Sequence, residues 1–261
     1  CKTSENYSLL MPARKKKMST SVGAGMSTKQ MKRKKPYNVD MMVAVEPITA
    51  NQKIAFESYQ EGKNLFLYGA AGTGKTFITL YNALKEVLDP VTPYQKVVIV
   101  RSLVSTREIG FLPGDHEDKS FLYQIPYKNM VKYMFELPTD QEFEMLWGNL
   151  KAQESVTFWS TSFIRGTTLD DSIVIVDESQ NLNFHELDSI ITRCGENCKI
   201  MFCGDAAQTD LIKTNEKNGI LDFQKIITRM PEFDLVEFNI NDIVRSGLVK
   251  SYLVSKIELG M

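Results

Sequence analysis

The 261-residue sequence has no run of about 18 apolar residues, the length that a membrane-spanning helix needs. Its first residues lack the apolar stretch of a secretory leader, so neither membrane insertion nor export is expected, and the cytoplasm is the expected compartment. Four cysteines, Cys1, Cys194, Cys198 and Cys203, are too few for the disulfide framework of a small secreted scaffold, and reduced thiols are expected. The two histidines, His116 and His185, have no triad partners identifiable from sequence, which leaves nucleophilic hydrolase chemistry unsupported. What is present is the make-up of an ordinary globular chain, 43% hydrophobic and 24% charged, long enough to bury a full core. Disorder, collagen and coiled coil are poor readings of such a composition.

The formal net charge of -1 conceals a division. Residues 1–36 carry ten Lys and Arg against the single acid Glu5, a balance of +9, which leaves 21 basic against 31 acidic residues and -10 for residues 37–261. The basic clusters Arg14–Lys17 and Lys32–Lys35 are separated by Ser, Thr, Gly and Met with little to bury, so residues 1–36 read as a flexible arm. The arm could hold a phosphate backbone through counterion release, or be a merely solvated or untranslated leader. The chain opens on Cys1, and Met11, Met18, Met26, Met31 and Met41 are candidate starts. Residues 37–261 suit one domain.

Within that domain, Leu65–Tyr68, Val97–Val100, Thr157–Trp159, Ile173–Val176, Ile200–Cys203 and Leu235–Phe238 are short β-branched or aromatic runs, most of them apolar throughout. Continuous rather than alternating apolar runs fit strands covered on both faces, as in a parallel sheet. Between them lie helical stretches at Lys75–Leu88, Tyr127–Phe135, Thr139–Leu150, Glu186–Arg193 and Leu221–Met230, the third opening with a capping box from Thr139 to Glu142. The alternation predicts an α/β fold with one central, mainly parallel sheet flanked by helices and right-handed crossovers.

Gly69-Ala70-Ala71-Gly72-Thr73-Gly74-Lys75-Thr76 matches G-x-x-x-x-G-K-[ST] and lies between an expected strand and an expected helix, where the motif can work. Its glycines let the loop curl so that successive N–H groups face a phosphate, and the helix start adds its partial positive charge. Lys75 would supply a point charge to the β and γ phosphates of ATP, and Thr76 a hydroxyl for Mg²⁺. Ile173–Val176 ends in Asp177-Glu178, which puts two carboxylates at the carboxyl edge of the sheet. Asp177 is expected to hold a Mg²⁺-bound water and Glu178 to polarise an attacking water, a pair that suits hydrolysis better than phosphotransfer. Ile200–Cys203 runs into Gly204-Asp205-Ala206-Ala207-Gln208, whose neutral amide could bridge the attacking water and the terminal phosphate.

With these three motifs in order, the chain resembles the PhoH-like family of P-loop ATPases, whose core is related to the first motor domain of superfamily 1 helicases. The resemblance covers roughly residues 48–255. It extends to Asn51-Gln52, Arg101, Gly110-Phe111-Leu112-Pro113-Gly114-Asp115, Arg165-Gly166-Thr167-Thr168-Leu169, Ser179-Gln180-Asn181, Asp210-Leu211 and Asp242-Ile243-Val244-Arg245. Ala70 stands where the family commonly has Pro, a position that needs no side chain to bind ATP, and Ser179 stands where Ala is usual.

The resemblance implies a single RecA-like domain. It implies that Gln52 reads the adenine edge, with an exposed helix N-terminus as the alternative, and that Arg245 is the late arginine of such motors, with Arg101 and Arg165 as rivals and a structural ion pair as the alternative for any of the three. An arginine suits this task because its fork follows charge spreading over phosphate oxygens. It also implies a homo-oligomeric ring, a hexamer, since 225 residues leave no room for a second motor domain to close the site and a neighbouring subunit must do so. RNA or single-stranded DNA is the implied partner. The competing function is a nucleotide-gated assembly or adaptor protein with slow turnover. A zinc cluster of Cys194, Cys198, Cys203 and His185 is not favoured, because Cys203 lies inside an apolar strand. Tyr123, Tyr127, Tyr133, Phe135 and Trp147 could stack on bases, but their helical setting favours the core.

Overall fold

The computed structural model describes residues 37–101, 116–161, 163, 164, 166–205 and 214–259. Six strands, β1 (Asn64–Gly69), β2 (Lys96–Arg101), β3 (Val156–Ser160), β4 (Ser172–Asp177), β5 (Cys198–Asp205) and β6 (Phe233–Phe238), form one sheet in the order β3-β2-β4-β5-β1-β6. Every pairing is parallel. All six expected strands are present, and each extends past its apolar run because backbone pairing continues into polar residues. At the carboxyl edge those residues are Arg101, Ser160, Asp177 and Asp205.

The reason the runs are apolar throughout is visible in the burial. Leu65, Leu67, Val97, Ile99, Ile173, Ile175, Met201 and Cys203 join the core on one face. Their neighbours in sequence, Phe66, Val98, Val100, Val174, Val176, Ile200 and Phe202, join a separate core on the other. A strand alternates its side chains between faces, so covering both faces demands an apolar residue at every position.

Seven α-helices are described: α1 (Ala50–Gln60), α2 (Lys75–Leu88), α3 (His116–Met134), α4 (Asp140–Ala152), α5 (Phe184–Ile191), α6 (Thr214–Ile227) and α7 (Gly247–Glu258). Residues from α1 to α4 fill the first core, and those of α5 and α6 the second. The Thr139–Glu142 capping box forms as expected at the start of α4. Tyr127–Phe135 proves to be only the second half of α3, because Pro126 sits inside the helix, where it removes one N–H donor without ending it. α1 and α7 lack the clear apolar stripe that reveals a helix in sequence, and α7 buries none of its residues. No described helix is long and apolar enough to cross a membrane.

The amino edge of the sheet serves packing. Lys199, near the start of β5, is 6% exposed, with its Nζ 3.9 Å from the centre of the Tyr59 ring and 3.5 Å from Glu86 Oε1. Burial lowers its pKa, and Glu86 opposes that shift. Lys199→Ala is therefore expected to cost about 1–3 kcal/mol through the lost ring contact and buried stem. Urea denaturation would measure the loss.

Candidate nucleotide site

At the carboxyl edge, Gly69 closes β1 between Asp205 of β5 and Phe238 of β6. It has φ of +116°, and a Cβ placed there would lie 2.0 Å from the Phe238 carbonyl oxygen. Only glycine fits this approach, and the next residue, Ala70, donates its N–H to the same oxygen at 2.8 Å. The chain then curls through Gly72 and Gly74, both left-handed, into α2. α1, α4 and α5 are capped by the side chains of Thr49, Thr139 and Asn183, whereas Gly74 gives α2 no side-chain cap. The first N–H groups of α2 are thus left without a side-chain acceptor, and the helix dipole favours an anion there.

A cleft of about 250 Å³ opens over this turn, lined among others by Gly72, Lys75, Thr76, Asp177, Glu178 and Arg245. Thr76 Oγ1 donates to Asp177 Oδ1 at 2.8 Å, uniting the start of α2 with the end of β4. Asp177 Oδ2 accepts from the Tyr127 hydroxyl at 2.6 Å. Lys75, only 6% exposed, places Nζ 2.8 Å from Asp205 Oδ1 and 2.7 Å from the Ala70 carbonyl oxygen. Glu178 takes a left-handed backbone, φ of +50°, an uncommon conformation for a residue with a side chain and one that recurs at functional sites. Its carboxylate is ion-paired with Arg101 and accepts from Asn181 Nδ2 at 3.0 Å. Burial raises the Glu178 pKa, against the pull of Arg101, and the charges of Asp177 and Asp205 add to the rise. For Arg101, burial is outweighed by Glu178, Tyr127 and Asp177, and its pKa rises.

The expected residues Gly69 to Thr76, Asp177, Glu178 and Arg245 therefore converge. Gln208 and Arg165, and the Gly110–Asp115 and Asp210-Leu211 segments, lie outside the described residues. Gln52 is not at an exposed helix start; it is 4% exposed, donating Nε2 to the Thr73 carbonyl at 2.9 Å and accepting the Ile48 N–H at 2.9 Å. Asn51 donates to Asp242 Oδ2 at 2.7 Å, and Val244 N–H to the Gly72 carbonyl at 3.0 Å. Those bonds set Arg245 beside Gly72 of its own loop.

Three participants were given no role at this site from sequence. Asp205 pairs with Lys75, Gln180 Oε1 accepts the Asp205 N–H at 3.1 Å, and Tyr127 donates to Asp177. Asp205 and Gln180 stood inside quoted motifs, which was a usable signal; Tyr127 carried none beyond its aromatic character.

A glycine turn with an uncapped helix start, a buried lysine and a Thr–Asp pair defines a P-loop nucleotide-binding protein. The sequence model of the PhoH-like protein family matches residues 44–255, and the chain belongs to that family of P-loop ATPases. It is 30% identical over 195 residues to Protein PhoH2 of Bacillus subtilis (strain 168), covering 74% of this chain and 43% of that one. Protein PhoH of Escherichia coli (strain K12) is 30% identical over 196 residues, 74% of this chain and 53% of its own. The PhoH-like protein of Mycobacterium leprae (strain TN) is 27% identical over 215 residues, 82% and 59% respectively. The chain thus spans roughly half the length of these curated relatives. A solved structure of the DUF1998 helicase MrfA bound to DNA overlays 82% of this chain and 29% of its own, with a TM-score of 0.43 and 9% identity.

Gly69→Ala tests the close approach on which the turn depends. The substitution should cost about 3 kcal/mol or more, seen as a lowered midpoint in chemical denaturation.

Proposed function

We propose that the chain is a Mg²⁺-dependent ATPase that works as a homo-oligomeric ring, a hexamer, on RNA or single-stranded nucleic acid. The observation that carries the ATPase reading is the Thr76–Asp177 contact beneath the uncapped start of α2. A hydroxyl and a carboxylate are hard oxygen donors that fit Mg²⁺, and Mg²⁺, when bound with ATP, would neutralise charge on the β and γ phosphates. The residues lining the cleft add the charges of Lys75 and Arg245 to those of Asp177, Glu178 and Asp205, and Arg101 stands behind Glu178. Three positive charges balance three negative ones, so a triphosphate meets a neutral site and needs the metal to offset its own charge.

In the working cycle Lys75 exchanges Asp205 for phosphate oxygens. Glu178 leaves Arg101 and Asn181 to accept a proton from the attacking water. Gln208 bridges that water and the terminal phosphate, and Gln52 reads the adenine edge. Arg245, beside Gly72, is the nucleotide arginine of its own chain, and the arginine that reaches a neighbouring subunit is one of the others. The basic arm, residues 1–36, adds phosphate-backbone affinity. The compartment in this reading is the cytoplasm.

One observation favours the slow-turnover adaptor instead. Glu178 has one oxygen paired with Arg101 and the other hydrogen-bonded to Asn181, which leaves it unprepared to act as a base. The readings separate in steady-state assays. Lys75→Ala is expected to abolish nucleotide binding, and Glu178→Gln to keep binding but lower turnover at least about a hundredfold; either variant working at the unmodified rate overturns the site. Single-stranded RNA should raise turnover several-fold if the chain is a motor, and leave it slow and unchanged if it is an adaptor. Light scattering with ATP and Mg²⁺ that returned only a monomer still hydrolysing ATP would refute the ring.

A further inference from the structure

Tyr127 lies in α3, outside every motif that defines the site, and is 2% exposed. A buried phenol needs a hydrogen-bond acceptor, and many would satisfy it. This one uses Oδ2 of Asp177, at 2.6 Å, while Thr76 holds Oδ1 at 2.8 Å. The terminal torsion of an aspartate is broad and nearly two-fold, so two donors on different oxygens remove a freedom that one would leave. The ring is itself held: its centre lies 5.5 Å from that of Phe158, which packs in turn on Trp147 at 6.2 Å.

We propose that Tyr127 is a positioning residue for the metal end of the site, fixing the rotation of the Asp177 carboxylate so that Oδ1 stays on the Thr76 side. The proposal rests on the reading of this cleft as a Mg²⁺–nucleotide site. A hydroxyl bonded to a carboxylate oxygen is a charge-assisted contact of the stronger kind. Loss of the Tyr127 oxygen leaves Asp177 with one donor fewer and free to turn, while the ring still fills its place.

The test is Tyr127→Phe, read by equilibrium binding of a fluorescent ATP analogue in EDTA and across a Mg²⁺ titration, with thermal unfolding alongside. Removing a group that orients a metal ligand typically costs ten- to a hundredfold in metal affinity. The half-saturating Mg²⁺ concentration should accordingly rise by roughly tenfold or more, while affinity in EDTA stays unchanged. In an Asp177→Asn background the same change should be silent. A Tyr127→Phe chain that melted earlier but whose Mg²⁺ titration overlaid the parent curve would reduce the hydroxyl to a core contact and overturn the proposal. A parent chain that bound the analogue with no dependence on Mg²⁺ would overturn the underlying reading and the proposal with it. A chain that bound Mg²⁺–nucleotide but never hydrolysed it would overturn the ATPase alone.

Discussion

The contact between Thr76 and Asp177 joins the first turn of a helix to the last residue of a strand 101 positions later in the chain. It holds only because two strands and a loop agree on one geometry. Gly69 must pass within reach of the Phe238 carbonyl for the phosphate loop to turn where it does, and β5 must lie between β1 and β4, holding them two strand spacings apart. Displacing the loop or either outer strand would separate the hydroxyl from the carboxylate. The two-sided core exists to resist that displacement, since strands buried on both faces cannot slip without exposing apolar residues.

The described site is internally paired. Lys75 lies on Asp205, and Glu178 on Arg101, so the charges that would meet a nucleotide already meet one another. Buried charges require such partners, because an unpaired ion in a low-dielectric cleft costs several kcal/mol. In the proposed reading, ligand binding at this edge is consequently an exchange of partners. The left-handed backbone of Glu178 belongs to the same economy of space: it turns the chain sharply after β4, so that successive acids point to different neighbours.

Much of this was legible before any coordinate. The phosphate loop, the paired acids and the strand that ends in Gly204-Asp205 are each a run of adjacent residues, and adjacency survives folding. Two helices were not. α1 and α7 mix apolar and polar residues without a stripe, so periodicity carries no signal there. The sequence of α3 reads as a helix only over Tyr127–Phe135, although α3 runs on through Pro126, because a proline that a helix tolerates and one that ends it look alike in sequence. Gln52 admitted an exposed setting, and its burial against Thr73 depends on how α1 lies across the loop.

Local pattern was enough to settle the class of fold and the identity of the loop, because both follow from neighbours in sequence: period-free apolar runs, glycines at fixed offsets, acids after a strand. Tertiary structure alone decided the pairings. Tyr127 meets Asp177 across 50 residues, Arg101 meets Glu178 across 77, and Asn51 meets Asp242 across 191. A hydrogen bond depends on distances of about 3 Å and on direction. Strand order and helix placement set those quantities, and no count of residues between the partners records them.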